Sequence, residues 1–159
     1  MNIRIIAVGK IKEAYLTLAI QEYTKRLNGY CRLEIIAVKD EKIPEHSSDA
    51  QRRKAVEIEG SRILSYLKDD EILATLEIQG DQWDSPAFAK KIETYGIAGK
   101  SQITFVIGGS LGLAPAVTKR SQWKISFSKM TFPHQLFRVL LLEQIYRAFK
   151  IIRGETYHK

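Results

Sequence analysis

Apolar residues along the chain fall into two alternating kinds of run. Arg4 to Val8 is a short, nearly continuous apolar stretch closed by Gly9, the pattern of a strand covered on both faces. Ile11, Tyr15, Ala19, Tyr23 and Leu27 then recur at every fourth position and line one side of a helix. Asn28-Gly29 ends that helix, with Gly29 available for a left-handed cap. Leu33 to Val38 is a second strand. Ser48, with Gln51 three residues on, has capping-box spacing and predicts a helix through about Leu67. Ile72 to Ile78 is a third strand closed by Gly80, and Ser85-Pro86 reads as an N-cap and first helical position, opening a helix to about Tyr95. Ile103 to Ile107 is the fourth strand, Pro115 opens a short helix, and Trp123 to Phe127 is the fifth strand. A long apolar helix follows from about His134 to Ile152.

Strands alternating with helices predict a single α/β domain over residues 1–159, with a mostly parallel sheet and helices on both faces. Ligands of such sheets bind beyond the strand C-terminal ends, here Gly9, Lys39, Gly80, Gly108 and Ser128. The closing helix is apolar on two sides, with Leu136, Leu140, Phe149 and Ile152 on one and Val139, Leu142 and Tyr146 on the other. One sheet face does not cover so wide a surface, which predicts a homodimer interface. Burial within the monomer is the alternative.

The 159 residues, 45% of them hydrophobic, suffice for a real core, and no apolar run approaches the ~20 residues of a membrane span. The opening Met1 to Ile6 lacks the regions of a signal peptide, and Cys31 has no second cysteine to pair with. Together these predict a cytoplasmic protein. The formal charge of +7 suits an anionic partner such as nucleic acid or a negatively charged small substrate.

Several short motifs compete for the chemistry. Gly99-Lys100-Ser101 resembles the tail of a P-loop, but Thr94 occupies the required glycine position and a strand follows, so the match fails. Gly108 to Gly112 is not a dinucleotide fingerprint. It does satisfy the G-x-S-x-G nucleophile elbow around Ser110, and Glu143 or Glu155 followed by His158 gives a hydrolase chain order. His46, His134, His158 and Cys31 have no metal-site spacing, and His134 after Pro133 reads as a helix cap. Arg52-Arg53-Lys54 reads as a solvated helix face, with phosphate contact as the alternative. The terminal Arg153, Tyr157, His158 and Lys159 combine phosphate-pairing, stacking and proton-handling groups suited to an RNA loop base.

Taken together, Phe105-Val-Ile-Gly-Gly-Ser-Leu-Gly-Leu113, Ser126-Phe-Ser-Lys-Met-Thr-Phe-Pro-His134, Glu143-Gln-Ile-Tyr-Arg-Ala148 and Tyr157-His158 resemble the RlmH type of SPOUT methyltransferase. The resemblance extends over essentially the whole chain, including Val8-Gly9 and Glu59-Gly60; Ser110 departs from an Ala or Pro expected there. It implies a C-terminal trefoil knot, an exception to the rule against knotted chains. It also implies a homodimer that methylates N3 of a pseudouridine in helix 69 of 23S ribosomal RNA, using S-adenosylmethionine and no metal. By motif match the cofactor would be held by Leu76, Gly108, Phe127, Ser128, Lys129, Met130, Thr131 and Phe132. On the substrate side, His158 is the candidate base for the N3 proton, Tyr157 the stacking group, and Arg153 the partner of a phosphate or of a developing uracil anion. A serine hydrolase using Ser110 and a non-enzymatic RNA-binding dimer are the competing function classes.

Overall fold

A computed structural model describes residues 1–100 and 102–158; Ser101 of the P-loop-like triplet and the terminal Lys159 lie outside the described residues. Five strands and five helices alternate: β1 (Asn2–Val8), α1 (Ala14–Leu27), β2 (Arg32–Val38), α2 (Asp49–Leu64), β3 (Ile72–Gln82), α3 (Ser85–Ile97), β4 (Gln102–Ile107), α4 (Pro115–Arg120), β5 (Trp123–Ser126) and α5 (His134–Ile152). The strands form one sheet of order β2-β1-β4-β3-β5 in which every pairing is parallel. This is the α/β architecture that the alternation of runs predicts.

The two faces divide the helices. Ile3, Ile5, Ile103 and Phe105 pack with Leu27 of α1, Phe88 and Ile92 of α3, and Leu141 and Ile145 of α5. On the other face Ile6, Val8, Leu73 and Val106 meet Ile63 of α2 and Val117 of α4. Period-two alternation in β1 thus sends Ile5 and Ile6 to different cores, which is why the strand reads as a continuous apolar run.

Local chemistry explains the boundaries, including those that differ from expectation. Ser48 forms both halves of its capping box with Gln51, although α2 ends at Leu64. The cap of α3 is Asp84, whose carboxylate accepts from the Ala87 N–H at 2.8 Å. Ser85 is instead the first helical residue, and its hydroxyl donates to Gln144 of α5. Helix α1 turns a slightly different face to the core than its four-residue row suggests: Leu16, Ile20, Tyr23 and Leu27 face inward while Tyr15 is 67% exposed. Gly29 is not a left-handed cap; Asn28 stays helical, and the Tyr30 and Cys31 N–H groups return to the Leu27 carbonyl. Gly99, by contrast, takes φ +74° beyond the end of α3, so the P-loop-like triplet begins as a helix C-terminus.

Gly80 does not end β3. The strand runs on to Gln82, with a register break against β5 between Leu76 and Asp81. A Cβ on Gly80 would lie 2.7 Å from backbone atoms of Lys124 and Ile125. The glycine marks a close backbone approach next to an irregularity, not a terminator.

Helix α5 lies against α1 and α3, and Leu141, Leu142, Ile145, Ala148 and Phe149 are buried within this one chain. Those neighbours account for much of its apolar width. Leu136, Val139 and Leu140 remain only partly covered.

Candidate functional site

The C-terminal ends of β3, β4 and β5 open into a cavity of about 780 Å³, within the ~300–1,000 Å³ range of small-molecule sites. Two loops build it. After β4, Gly108 and Gly112 bring the chain back on itself: the Gly112 N–H donates to the Gly109 carbonyl at 3.1 Å, and Gly112 takes φ +84°. A Cβ on Gly108 would lie 2.7 Å from the Gly112 carbonyl oxygen. The closed form of this loop therefore requires glycine there for close approach. Beneath this loop, the buried Glu59 accepts from the Glu41 N–H at 2.9 Å, and burial raises its carboxyl pKa. The second loop follows β5, where the Ser128 hydroxyl accepts the Met130 N–H at 3.0 Å. Pro133 then fixes the entry to α5, and Phe137 packs on Phe127 and Phe132 at 5.6 Å between ring centroids.

Of the sequence-derived cofactor residues, Leu76, Gly108, Phe127, Ser128, Met130, Thr131 and Phe132 line this cavity. Lys129 belongs to the same loop but is exposed and is not part of the lining. Among the lining residues outside that set are two with polar side chains suited to a ligand, Glu77 and His134. The signal for Glu77 was its place directly after Leu76. His134 provides no side-chain cap to α5, contrary to the expectation for it; it sits instead against Gly9, whose φ of +83° turns the chain at the end of β1. One turn on, the buried Arg138 donates to the Val8 and Gly9 carbonyls at 2.9 and 2.5 Å.

Burial first, and then the Arg138 charge, lower the His134 pKa, with Asp40 opposing and Lys12 adding to the shift. The unfolded chain therefore binds this proton more readily than the folded one. Stability is expected to decline as the pH falls through about 6.5, the ordinary histidine value. His134→Gln is expected to flatten that limb in urea unfolding measured between about pH 5 and pH 7. An unchanged slope in the variant would assign the loss to other groups.

A cavity with aromatic and aliphatic walls, loop backbone at its rim, a carboxylate and a histidine disfavoured as a cation fits a cationic sulfonium cofactor bearing an adenosine. Leu76, Phe127 and Phe132 offer apolar cover for the purine, loop backbone groups offer hydrogen bonds to its edge, and Glu77 offers an acceptor. Among the described residues, no group of three or more His, Cys, Asp and Glu side chains is arranged to hold a metal.

Ser110 is not placed as an elbow nucleophile. No non-glycine residue among those described has positive φ, and α4 does not begin until Pro115, so the strained strand-to-helix turn is absent. Ser110 lines the first cavity, whereas His158 lines a neighbouring one of about 650 Å³ that shares Ile125, Phe127 and Phe132 with it.

The tail folds back on its own helix. Glu143 accepts from Arg147 through Nε at 3.0 Å and Nη2 at 2.5 Å, and from the Tyr157 hydroxyl at 3.2 Å. The Arg147 guanidinium also stacks on the Tyr157 ring at 4.7 Å and approaches His158 Nδ1 at 3.4 Å. Burial, with hydrogen bonds to Tyr23 and Glu143, pushes the Tyr157 phenol up to about 12. Arg153 does not join this group; it lies over the Tyr30 ring at 4.3 Å and donates to the Gly29 carbonyl. The structure thus brings Tyr157 and His158 together and places Arg153 at the far end of α5. The Arg52-Arg53-Lys54 run is exposed on α2.

Comparison with known proteins agrees with this geometry. A family model described as "Predicted SPOUT methyltransferase" matches residues 1–158. A Methanococcus maripaludis protein is 59% identical over the full length of both chains. Proteins named ribosomal RNA large subunit methyltransferase H from Clostridium kluyveri and Enterococcus faecalis are each 54% identical, again over the full length of both chains. Among solved structures, a probable methylase family protein from Haemophilus influenzae superposes with a TM-score of 0.52 at 15% identity, covering 96% of this chain and 66% of that one. A Legionella pneumophila methyltransferase solved with bound SAM superposes with a TM-score of 0.50 at 8% identity, covering 93% of this chain and 66% of that one. At such low identities these two likenesses concern the fold alone. The match over residues 1–158 and the full-length identities place this chain in the SPOUT methyltransferase family.

Proposed function

We propose that this SPOUT methyltransferase uses S-adenosylmethionine to methylate 23S ribosomal RNA, at N3 of a pseudouridine in helix 69. The observation that carries the reading is the cavity at the ends of β3, β4 and β5, lined by the Gly108 and Phe127–Phe132 loops. The names of the full-length relatives support the substrate class. The bound cofactor would supply an activated methyl group. The chain's own contribution is alignment: Leu76, Phe127, Ser128, Met130, Thr131 and Phe132 orient the cofactor and exclude water, Gly108 keeps the loop closed, and Lys129 stands at the rim toward the anionic RNA. Tyr157 and His158 meet the target base, and the half-exposed Arg153 meets a phosphate.

The protein acts as a cytoplasmic homodimer, its interface built on the partly covered Leu136, Val139 and Leu140 of α5. The C-terminal segment threads a loop to complete a trefoil knot. Incubation with ribosomes and S-adenosylmethionine, followed by mass spectrometry of nuclease fragments, should place one added methyl on the helix 69 pseudouridine. Methylation at another site, or none with cofactor bound, would refute the assignment.

A further inference from the structure

The hydrogen-bonding inventory of the tail decides what its imidazole can do. A guanidinium has only donors. The Arg147 Nη1 atom faces His158 Nδ1 at 3.4 Å, and a donor-only group there favours the tautomer in which Nδ1 accepts. In that tautomer the ring proton is on Nε2, which has no free lone pair. Arg147 is itself fixed, because its other two nitrogens donate to one oxygen of Glu143. The second Glu143 oxygen accepts from Gln144 at 2.7 Å. Glu143 also takes the Tyr157 hydroxyl, which commits that proton. Asp84, at the N-cap of α3, lines the same cavity as Glu143 and His158.

We propose that Arg147, anchored by Glu143, is a positioning residue that fixes His158 as an Nε2–H donor, so that His158 holds an oxygen of the RNA and does not take the proton of the target nitrogen. The inference rests on the reading that His158 meets the substrate base. The raised Tyr157 phenol supports it, since that group too is held protonated. In the transfer, the N–H pair of the target nitrogen forms the new N–C bond, the C–S pair stays on sulfur, and the proton passes to water. The imidazole acts only as a hydrogen-bond donor and stabilises charge that develops on a neighbouring oxygen.

Two substitutions separate donor from base. A glutamine amide can donate where Nε2 does, but it is not a general base near neutral pH. His158→Gln is expected to keep kcat/KM within about tenfold of the parent, while His158→Ala loses about a hundredfold. The parent rate is expected to go on rising with pH above neutrality, where a histidine base would reach a plateau. Equal loss in the two variants with a plateau in the parent would overturn the donor assignment. Parent-like activity in both would instead remove His158 from the substrate site, leaving methyl transfer itself intact.

Nitrogen NMR of labelled histidine gives a readout independent of turnover, with three histidines to assign. His158 should show one bare Nδ1 and one protonated Nε2. Arg147→Met should convert this to an averaged pair. An averaged pair in the parent protein would overturn the role of Arg147.

Discussion

Gly108→Val is expected to abolish saturable binding of S-adenosylmethionine in calorimetric titration while leaving a folded protein. A Cβ at this position would sit 2.7 and 2.8 Å from the carbonyl oxygen and carbon of Gly112, and 3.1 Å from Leu113 Cδ2. The first two are backbone atoms and cannot rotate away. The Gly109–Gly112 bridge must then open, and the wall it forms moves into or out of the cavity. A weakening of at least about a hundredfold, or about 2.8 kcal/mol, is the expected scale. Because the loop lies beyond the end of β4, circular dichroism and the melting temperature should change little. Parent-like affinity in a folded Gly108→Val protein would mean that the cofactor binds elsewhere, and the assignment of the two loops would fall.

The other large effect is on the fold itself. Gly80→Val should destabilise the protein by about 3 kcal/mol, because the new side chain meets Lys124 and Ile125 backbone atoms at 2.7 Å and cannot pack without parting β3 from β5. For a chain of this length that corresponds to a melting temperature lower by roughly 10 °C. Gly29→Ala is the matched control. Nothing lies within 4 Å of its added methyl, and its φ is outside the left-handed region. It should melt within a degree or two of the parent. Similar losses in both variants would show that glycine in general, and not close strand approach at Gly80, sets the effect.

These two glycines also show where sequence reading reached its limit. The apolar runs made all five strands legible, most directly β1 and β4, which are buried on both faces, while the edge strand β2 is largely exposed yet keeps an apolar run, and Ser48 with Gln51 announced its cap without ambiguity. Gly80 looked like a terminator because a glycine after an apolar run ends a strand or admits a neighbouring backbone equally well, and only β5 distinguishes them. Asp84 and Ser85 are adjacent and both good caps, so a one-residue shift of the helix start decides between them. His134 and Arg138 were opaque for another reason. A polar residue at a helix start reads as a cap, and an arginine in an apolar helix reads as a surface charge. Their roles depend on Gly9, more than a hundred residues earlier. The tail was legible as a set of residue types, but its division between Glu143 and Tyr30 was not.

The strand order has a consequence for synthesis. Strands β1 and β4 are paired neighbours inside the sheet, yet roughly a hundred residues separate them. At ~5–20 residues per second, the emerging chain carries an unpaired edge of β1 for roughly 5–20 s before β4 has been made. That edge is Ile-rich, and in the finished sheet none of it reaches solvent from Ile5 to Val8. The emerging chain is therefore most exposed to aggregation between the synthesis of β1 and that of β4, and Arg138, reaching back to Val8 and Gly9, can close β1 into place only after α5 has been made.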